Sequence, residues 1–396
     1  MFNIKTYNVI AQEGIDAFPE EHYRVNNGQD PDALLIRSQD MRATPFGRQV
    51  LAIVRAGAGV NNIPLDQCTK QGTVVFNTPG SNANAVKELM VAMLVLSARP
   101  VIPAIAWAKK LGGGDVSVST EKGKNHFAGT ELLGKKIGVI GLGNVGSRVA
   151  RAALNLGMNV VGYDPFISVD SAWRLSNSIP RAKQLRDVLA DADYVTIHIP
   201  YTEKNRNLIG AEELAQMKDG AVLFNYSRHG IVDDDAVCDA LDSGKLRQYA
   251  TDFSSPKILQ HPKTVVTPHI GGTTHQAEVN GAKQGAQTLR RFLETGEIIN
   301  SVNFPTVEMG FSAPLRLTMI HQNVPNMVGQ ITTILAQHRL NITNMINRSR
   351  NEIAYTVIDI DAVPDSQLVK LQEELRRIKP VIRVRALANP KENSDD

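Results

Sequence analysis

Short, almost wholly apolar runs alternate with longer segments of helical spacing along most of the chain. At 5–10, 33–36, 51–55 and 73–77 the runs read as strands buried on both faces, and together they predict a small parallel sheet. Residues 84–99 form an apolar helical segment stopped by Pro100 and Pro103, the predicted crossing into a second domain. Further strands are predicted at 137–140, 159–163, 194–199, 221–225, 249–253 and 264–267, with helices at 145–156, 184–190, 210–218 and 233–241. Six strands with helices between them make a doubly wound α/β sheet, whose ligands collect beyond the strand C-termini. Arg228, Asp252 and His269 lie just there. A long helix at 273–293 is placed to return the chain to the first domain, which is therefore expected to be discontinuous.

The pattern changes near residue 304. Pro305, Gly310 and Ser312 mark a linker, and beyond it strands are predicted at 315–320, 341–347, 353–359 and 381–387, with helices at 327–339 and 366–378. This βαββαβ order gives a small antiparallel, ferredoxin-like sheet with both helices on one face. The polar tail 390–396 is expected to fray. The domains are thus expected at 1–99 (closed by 280–305), 100–279 and 315–389, with a linker at 306–314. The last is expected to be a separable module.

One stretch carries recognisable chemistry. Residues 135–164 read KKIGVIGLGNVGSRVARAALNLGMNVVGYD, a strand, then G-x-G-x-x-G at Gly141, Gly143 and Gly146, a helix, and a second strand ending on Asp164. A bare glycine triplet is any tight turn. With a strand before, a helix after and an acid about 20 residues on, it predicts a dinucleotide site. One glycine makes the turn, one admits the pyrophosphate to the backbone, and one lets helix and strand pack closely; the helix N-terminus faces the phosphates. Asp164 accepts from the ribose hydroxyls and repels a 2′-phosphate, which favours NAD over NADP.

Composition narrows the rest. The chain has 396 residues, 42% hydrophobic and 21% charged, which allows two or three ordinary globular domains. A net charge of +3 predicts no nucleic-acid or membrane partner. Cys68 and Cys238 are far apart and in no metal-ligand spacing, so buried thiols in a reducing compartment are expected, with no metal. The N-terminus lacks a basic and then apolar signal pattern, and the longest apolar run, 89–96, is too short to span a bilayer. A cytoplasmic protein is the expectation.

Several stretches resemble the D-isomer-specific 2-hydroxyacid dehydrogenases. They are RAGAGVNNI (55–63), FNTPGSNANAVKEL (76–89), GLGNVG (141–146), YDP (163–165), SRHGIVD (227–233) and TPHIGG (267–272). VNFP (302–305), followed by a segment similar to an ACT domain, narrows the likeness to the phosphoglycerate-oxidising branch. The resemblance implies oxidation of 3-phosphoglycerate with NAD, the first step of serine synthesis; the sheet edges of the last module favour a homo-oligomer, dimer or tetramer. The resemblance also implies His269 as the base and Arg228 as the substrate-polarising cation, with Arg55 and Ser81 binding substrate. Gly141, Gly143, Asn144, Val145, Gly146, Asp164, Ser227, Asp252 and Gly271 would bind the cofactor, Asp252 as anchor of the nicotinamide carboxamide. His321, Asn323 and Asn341 match positions that bind serine. Without the likeness each has a plainer reading: a structural histidine after a strand, a surface arginine, a turn aspartate, polar loop caps.

Three departures stand out. Five positions after Asp252 the family usually has a glutamate paired with the histidine; here stands Lys257, counted among the catalytic candidates because a cation beside His269 would lower its pKa. The other possibilities are that the loop carries Lys257 away or that another acid orients His269. His229 stands where the family commonly has glycine, and Asn326 replaces a glycine, which puts serine feedback in question. Rival readings are reduction of another 2-oxo acid, such as glyoxylate, hydroxypyruvate or 2-oxoglutarate, and a non-catalytic NAD- and amino-acid-sensing regulator.

Overall fold

Three sheets organise the computed structural model, which describes residues 1–173 and 175–389. The expected tail at 390–396 lies outside the described residues. The first sheet is five-stranded and wholly parallel, in the order β2-β1-β3-β4-β5: β1 Phe2–Tyr7, β2 Tyr23–Val25, β3 Ala33–Ile36, β4 Ala52–Arg55 and β5 Val74–Asn77. The four residues of β3 are all apolar and all buried, as a strand covered on both faces requires. Only β2 was not foreseen: it is a three-residue edge strand, too short to show a period.

The second sheet has six parallel strands in the order β11-β10-β9-β8-β6-β7. These are β6 Lys136–Ile140, β7 Asn159–Tyr163, β8 Tyr194–Ile197, β9 Ala221–Asn225, β10 Leu246–Thr251 and β11 Thr264–Val266. The order reverses between β6 and β8, the switch point at which a doubly wound sheet opens a crevice.

The third sheet is antiparallel, β13-β14-β12-β15, from β12 Leu315–Gln322, β13 Ile342–Arg350, β14 Ile353–Ile360 and β15 Val381–Ala388. Leu317, Met319 and Ile358 face the helices Met327–Gln337 and Asp365–Arg377, through Ile331, Leu335, Leu371 and Leu375. The βαββαβ order is the expected one.

Two compact units result: Met1–Asn82 with the chain from Glu278 onward, and Ala83–Ala277. The crossings therefore fall at 82/83 and 277/278 rather than at 99/100 and 279/280. The helix Ala83–Ala98 moves to the second unit because Val86, Met90 and Leu94 pack with Ile137, Val139 and Val222.

The C-terminal sheet is not a free module. Ile320, Tyr355 and Val357, on its helix-free face, share one core with Phe76, Phe292 and Phe304. The stretch expected to be a linker is part of that core: Val307 and Met309 are buried in it, and Ile298 and Val307 bridge antiparallel. Proline and glycine in 304–313 signalled irregular backbone correctly, but irregular backbone is not a tether. Among the described residues no single helix is long and apolar enough to cross a membrane.

Candidate active site

The glycine turn follows β6 and opens the helix Gly146–Asn155. Gly141 has φ +87°, and a Cβ there would lie 2.5 Å from the His198 carbonyl oxygen. A Cβ on Gly146 would meet the Gly141 carbonyl oxygen at 1.9 Å, so both glycines are required by the turn and its close packing. Gly143 differs, because its Cβ would enter open space. That is the position where backbone must stay bare for a pyrophosphate. Asn144 is exposed beside it, and Val145 precedes the helix. Asp164, at the end of β7, accepts from the Leu142 amide (2.9 Å) through one oxygen and from the Phe166 amide (2.9 Å) through the other. Each oxygen keeps lone-pair capacity for a ribose hydroxyl. The cradle therefore fits a dinucleotide without a 2′-phosphate.

Beneath the turn, His198 has its Nε2 on the Thr196 hydroxyl at 2.9 Å, while its buried Nδ1 has no partner among the described residues. Burial pushes its pKa down to about 3, so the ring is neutral.

Two loops at the C-terminal edge of the same sheet carry the remaining polar groups. After β9, Asn225 accepts from the Ser227 hydroxyl (2.9 Å), and its amide donates to the Arg228 carbonyl (2.9 Å). Arg228 Nη1 donates to the Ser227 carbonyl at 2.6 Å. Burial pulls the Arg228 pKa down from its ordinary value. Ser227 is thus committed to shaping the loop.

Asp252 follows β10 and is 4% exposed. Its carboxylate accepts from the Thr267 hydroxyl, from the Ile270 amide (3.0 Å) and from the Gly271 amide (2.6 Å). A Cβ on Gly271 would come within 2.8 Å of that carboxylate. The expected nicotinamide anchor is therefore first the staple of the TPHIGG loop. Between the stapled residues His269 is exposed at φ +54°, a left-handed conformation uncommon outside glycine.

Lys257 does not reach that loop. It sits on the short helix Pro256–Gln260 and pairs with Asp235 on the helix Asp234–Asp242. Hydrogen bonding to Asp235, and then its charge, raise the Lys257 pKa. The catalytic candidacy of Lys257 is corrected on this geometry: its charge is neutralised at the neighbouring helix. His229 is exposed and lines a shallow depression with Tyr201, Arg206 and Asp233.

In the other unit Arg55 ends β4, its Nε donating to the Arg37 carbonyl (2.9 Å) and Nη1 to the Gly59 carbonyl (2.6 Å). The Gly57 amide donates to the Thr78 hydroxyl at 2.7 Å. Ser81 donates to the Thr78 carbonyl at 3.0 Å.

Residues 101–271 match the model of the NAD-binding domain of D-isomer-specific 2-hydroxyacid dehydrogenases. D-3-phosphoglycerate dehydrogenase of Escherichia coli strain K12 is 34% identical over 341 residues, 83% of this chain and 79% of that protein. The chain belongs to the D-3-phosphoglycerate dehydrogenase family. D-3-phosphoglycerate dehydrogenase 1 of Saccharomyces cerevisiae is 29% identical over 94% of this chain and 81% of its own length. Among solved structures, NAD-bound 3-phosphoglycerate dehydrogenase of Entamoeba histolytica covers 76% of this chain and 98% of its own, with a TM-score of 0.58 at 24% identity. D-2-hydroxyisocaproate dehydrogenase gives 0.62 at 21% identity, over 76% and 99% of the two chains. These likenesses support the fold, and the family places NAD as its cofactor.

Within this phosphoglycerate dehydrogenase family member, the three expected effector residues do not converge. His321 is 1% exposed, with Nδ1 on the Gln322 carbonyl (2.8 Å) and Nε2 on the Thr356 hydroxyl (2.8 Å), which in turn donates to Asn347 (2.8 Å). With both ring nitrogens engaged it is a core histidine, and its effector role is corrected. Asn323 is exposed and donates to the Asn351 carbonyl at 3.2 Å, and Asn341 is exposed just before β13. The continuation from buried Thr356 to exposed Asn347 was missed because neither residue stands out in a strand sequence.

Proposed function

We propose that the chain oxidises 3-phospho-D-glycerate to 3-phosphohydroxypyruvate, the first step of serine biosynthesis. The observation that carries the reading is the convergence of three loops on one sheet edge: the bare Gly143 turn, the Arg228 loop and the His269 loop stapled by Asp252. Bound NAD supplies the hydride acceptor for C2. His269 takes the C2 hydroxyl proton as the carbonyl forms, which needs the neutral ring at the start. Arg228, whose guanidinium stays charged, draws electron density toward the substrate carboxylate and the developing carbonyl oxygen. Asp252 fixes the backbone on both sides of His269, so the base is held without a search. Arg55 and Ser81 are the substrate-binding residues of the first unit, with Arg55 supplying the cation for the phosphate or carboxylate.

A homo-oligomer in the cytoplasm completes the proposal. The nine-residue edge strand β13, exposed along most of its length, supports self-association. Serine as a ligand of the C-terminal sheet would have to use Asn323 and Asn341 without His321. The test follows NADH formation with 3-phosphoglycerate, glycerate and 2-hydroxyglutarate, and NADH consumption with glyoxylate, hydroxypyruvate and 2-oxoglutarate. Turnover should be highest with 3-phosphoglycerate in the oxidative direction. Faster reduction of an unphosphorylated oxo acid would replace the substrate and keep the chemistry. No turnover with any of them would leave an NAD-binding regulator.

A further inference from the structure

We infer that Phe253 is the positioning residue of His269, in place of the carboxylate that the histidine lacks here. The inference rests on His269 being the base. Among the described residues no carboxylate hydrogen-bonds to the His269 ring. Its ring packs against Phe253, with ring centroids 4.9 Å apart and planes tilted by 59°. That is the tilted arrangement in which the edge of one ring meets the face of another.

Phe253 is itself fixed. Its amide donates to the Thr251 hydroxyl (3.1 Å), and that hydroxyl donates to the Asn225 carbonyl (3.0 Å), inside the sheet. Yet its side chain is half-buried and belongs to neither apolar cluster of this unit. A large aromatic ring outside the core, held by the sheet and set against the candidate base, is placed for orientation.

The charges around the loop leave that contact unopposed. Asp252 is consumed by Thr267, Ile270 and Gly271. Lys257 is paired with Asp235. The helix Ala83–Ala98 meets the loop through Val86 and Leu89 near Gly271, and its Lys87 and Glu88 pair with each other at 3.5 Å. Arg228 stands on the loop after β9. An aromatic ring within about 6 Å also stabilises a cation, so Phe253 steadies the imidazolium that forms when the proton arrives. It does so more weakly than a carboxylate would.

Phe253→Leu and Phe253→Met remove the ring but keep a large apolar side chain, and Phe253→Tyr keeps the ring. The full-length variants are compared by NADH affinity, by kcat and KM for 3-phosphoglycerate, and by NMR titration of the His269 ring. Loss of the ring should lower kcat by about three- to tenfold, with KM and NADH affinity within about twofold. The acid limb of oxidation should move down by about half a pH unit, because the imidazolium loses a partner. Phe253→Tyr should restore both. A His269 titration and kcat unchanged in the Leu and Met variants would overturn the inference, as would a Tyr variant as impaired as they are. Failure of the underlying reading looks different: His269→Asn would retain turnover, whatever Phe253 does to the titration.

Discussion

Asp164 and His198 are two side chains of the cofactor cradle whose chemistry leads to opposite kinds of test. Asp164 presents a carboxylate where a 2′-phosphate would have to sit, so NAD should exceed NADP in kcat/KM by at least about tenfold, the worth of about 1–2 kcal/mol. Asp164→Ala should narrow the ratio. It should also cost about 1 kcal/mol of stability, since the Leu142 and Phe166 amides lose their acceptor. Equal use of both cofactors by the unaltered protein would refute the role. His198 is a matter of pH. Its folded-state pKa of about 3 lies below the unfolded value of about 6.5, so below about pH 6.5 the unfolded chain binds a proton that the folded one refuses. Stability of the nucleotide unit should therefore fall as pH drops from about 6.5 toward 3, by up to about 1.4 kcal/mol per pH unit from this group. Melting of His198→Gln across that range should show a flatter acid limb, and identical limbs would remove His198 as the cause. The glycines and Asp164 were legible in the sequence because the motif is local, within one βαβ unit. Lys257 was not. Its direction is set by Asp235, which stands 22 residues earlier on a neighbouring helix, and no spacing rule connects the two.

At the scale of elements, β12 and β14 show why polar alternation misleads. Arg316 and Asp359 are directly opposed in the register and neither side chain is exposed. Nε and Nη2 of Arg316 meet the two carboxylate oxygens at 2.6 and 2.9 Å, and Ser312 adds its amide (2.8 Å) and hydroxyl (2.9 Å) to Asp359. The guanidinium also lies 4.0 Å over the Phe311 ring and donates to the Thr295 carbonyl at 2.9 Å. A strand reading LRLTMIHQ looks like one apolar and one solvated face, yet the face bearing Arg316 and Thr318 is buried as well. The strand order was readable from the sequence, but what covers the second face was not. Removing one partner of such a pair leaves a buried, uncompensated charge, so Asp359→Ala should cost about 3–5 kcal/mol in urea unfolding. The double change Arg316→Met, Asp359→Leu should recover most of it. A loss below about 1 kcal/mol for Asp359→Ala would mean that water reaches the pair.

For the whole molecule, the consequence is that the C-terminal sheet is a structural part of the first unit. The long helix His275–Thr295 ends beneath it. Its last carbonyls are satisfied by that sheet: Arg385 donates to Phe292 (3.3 Å) and Leu293 (2.8 Å), Arg316 to Thr295, and the Tyr355 hydroxyl to Gly296 (2.7 Å). Arg383 donates to the Arg48 carbonyl (2.6 Å) and the Gln71 carbonyl (3.1 Å), and burial, then the charge of Arg385, hold its pKa down to about 10. Arg385, Arg316 and Tyr355 thus cap a helix end that would otherwise leave carbonyls unpaired. Cutting the chain after Asn303 removes them together with Phe304, Val307, Ile320, Tyr355 and Val357 from the shared core. The nucleotide unit, 83–277, contributes no residue to that core and should survive the cut, binding NADH as in the full chain. The five-stranded sheet should not: strands β1 to β5 should lose protection from hydrogen exchange, the corresponding melting transition should drop or vanish, and turnover should go with it, since Arg55 stands on β4. Two measurements on one truncated protein, NADH titration and hydrogen exchange at 2–77, separate the outcomes. Native protection at 2–77 would mean that the first unit holds without its third sheet, and that the shared core and the arginine caps add little to its stability.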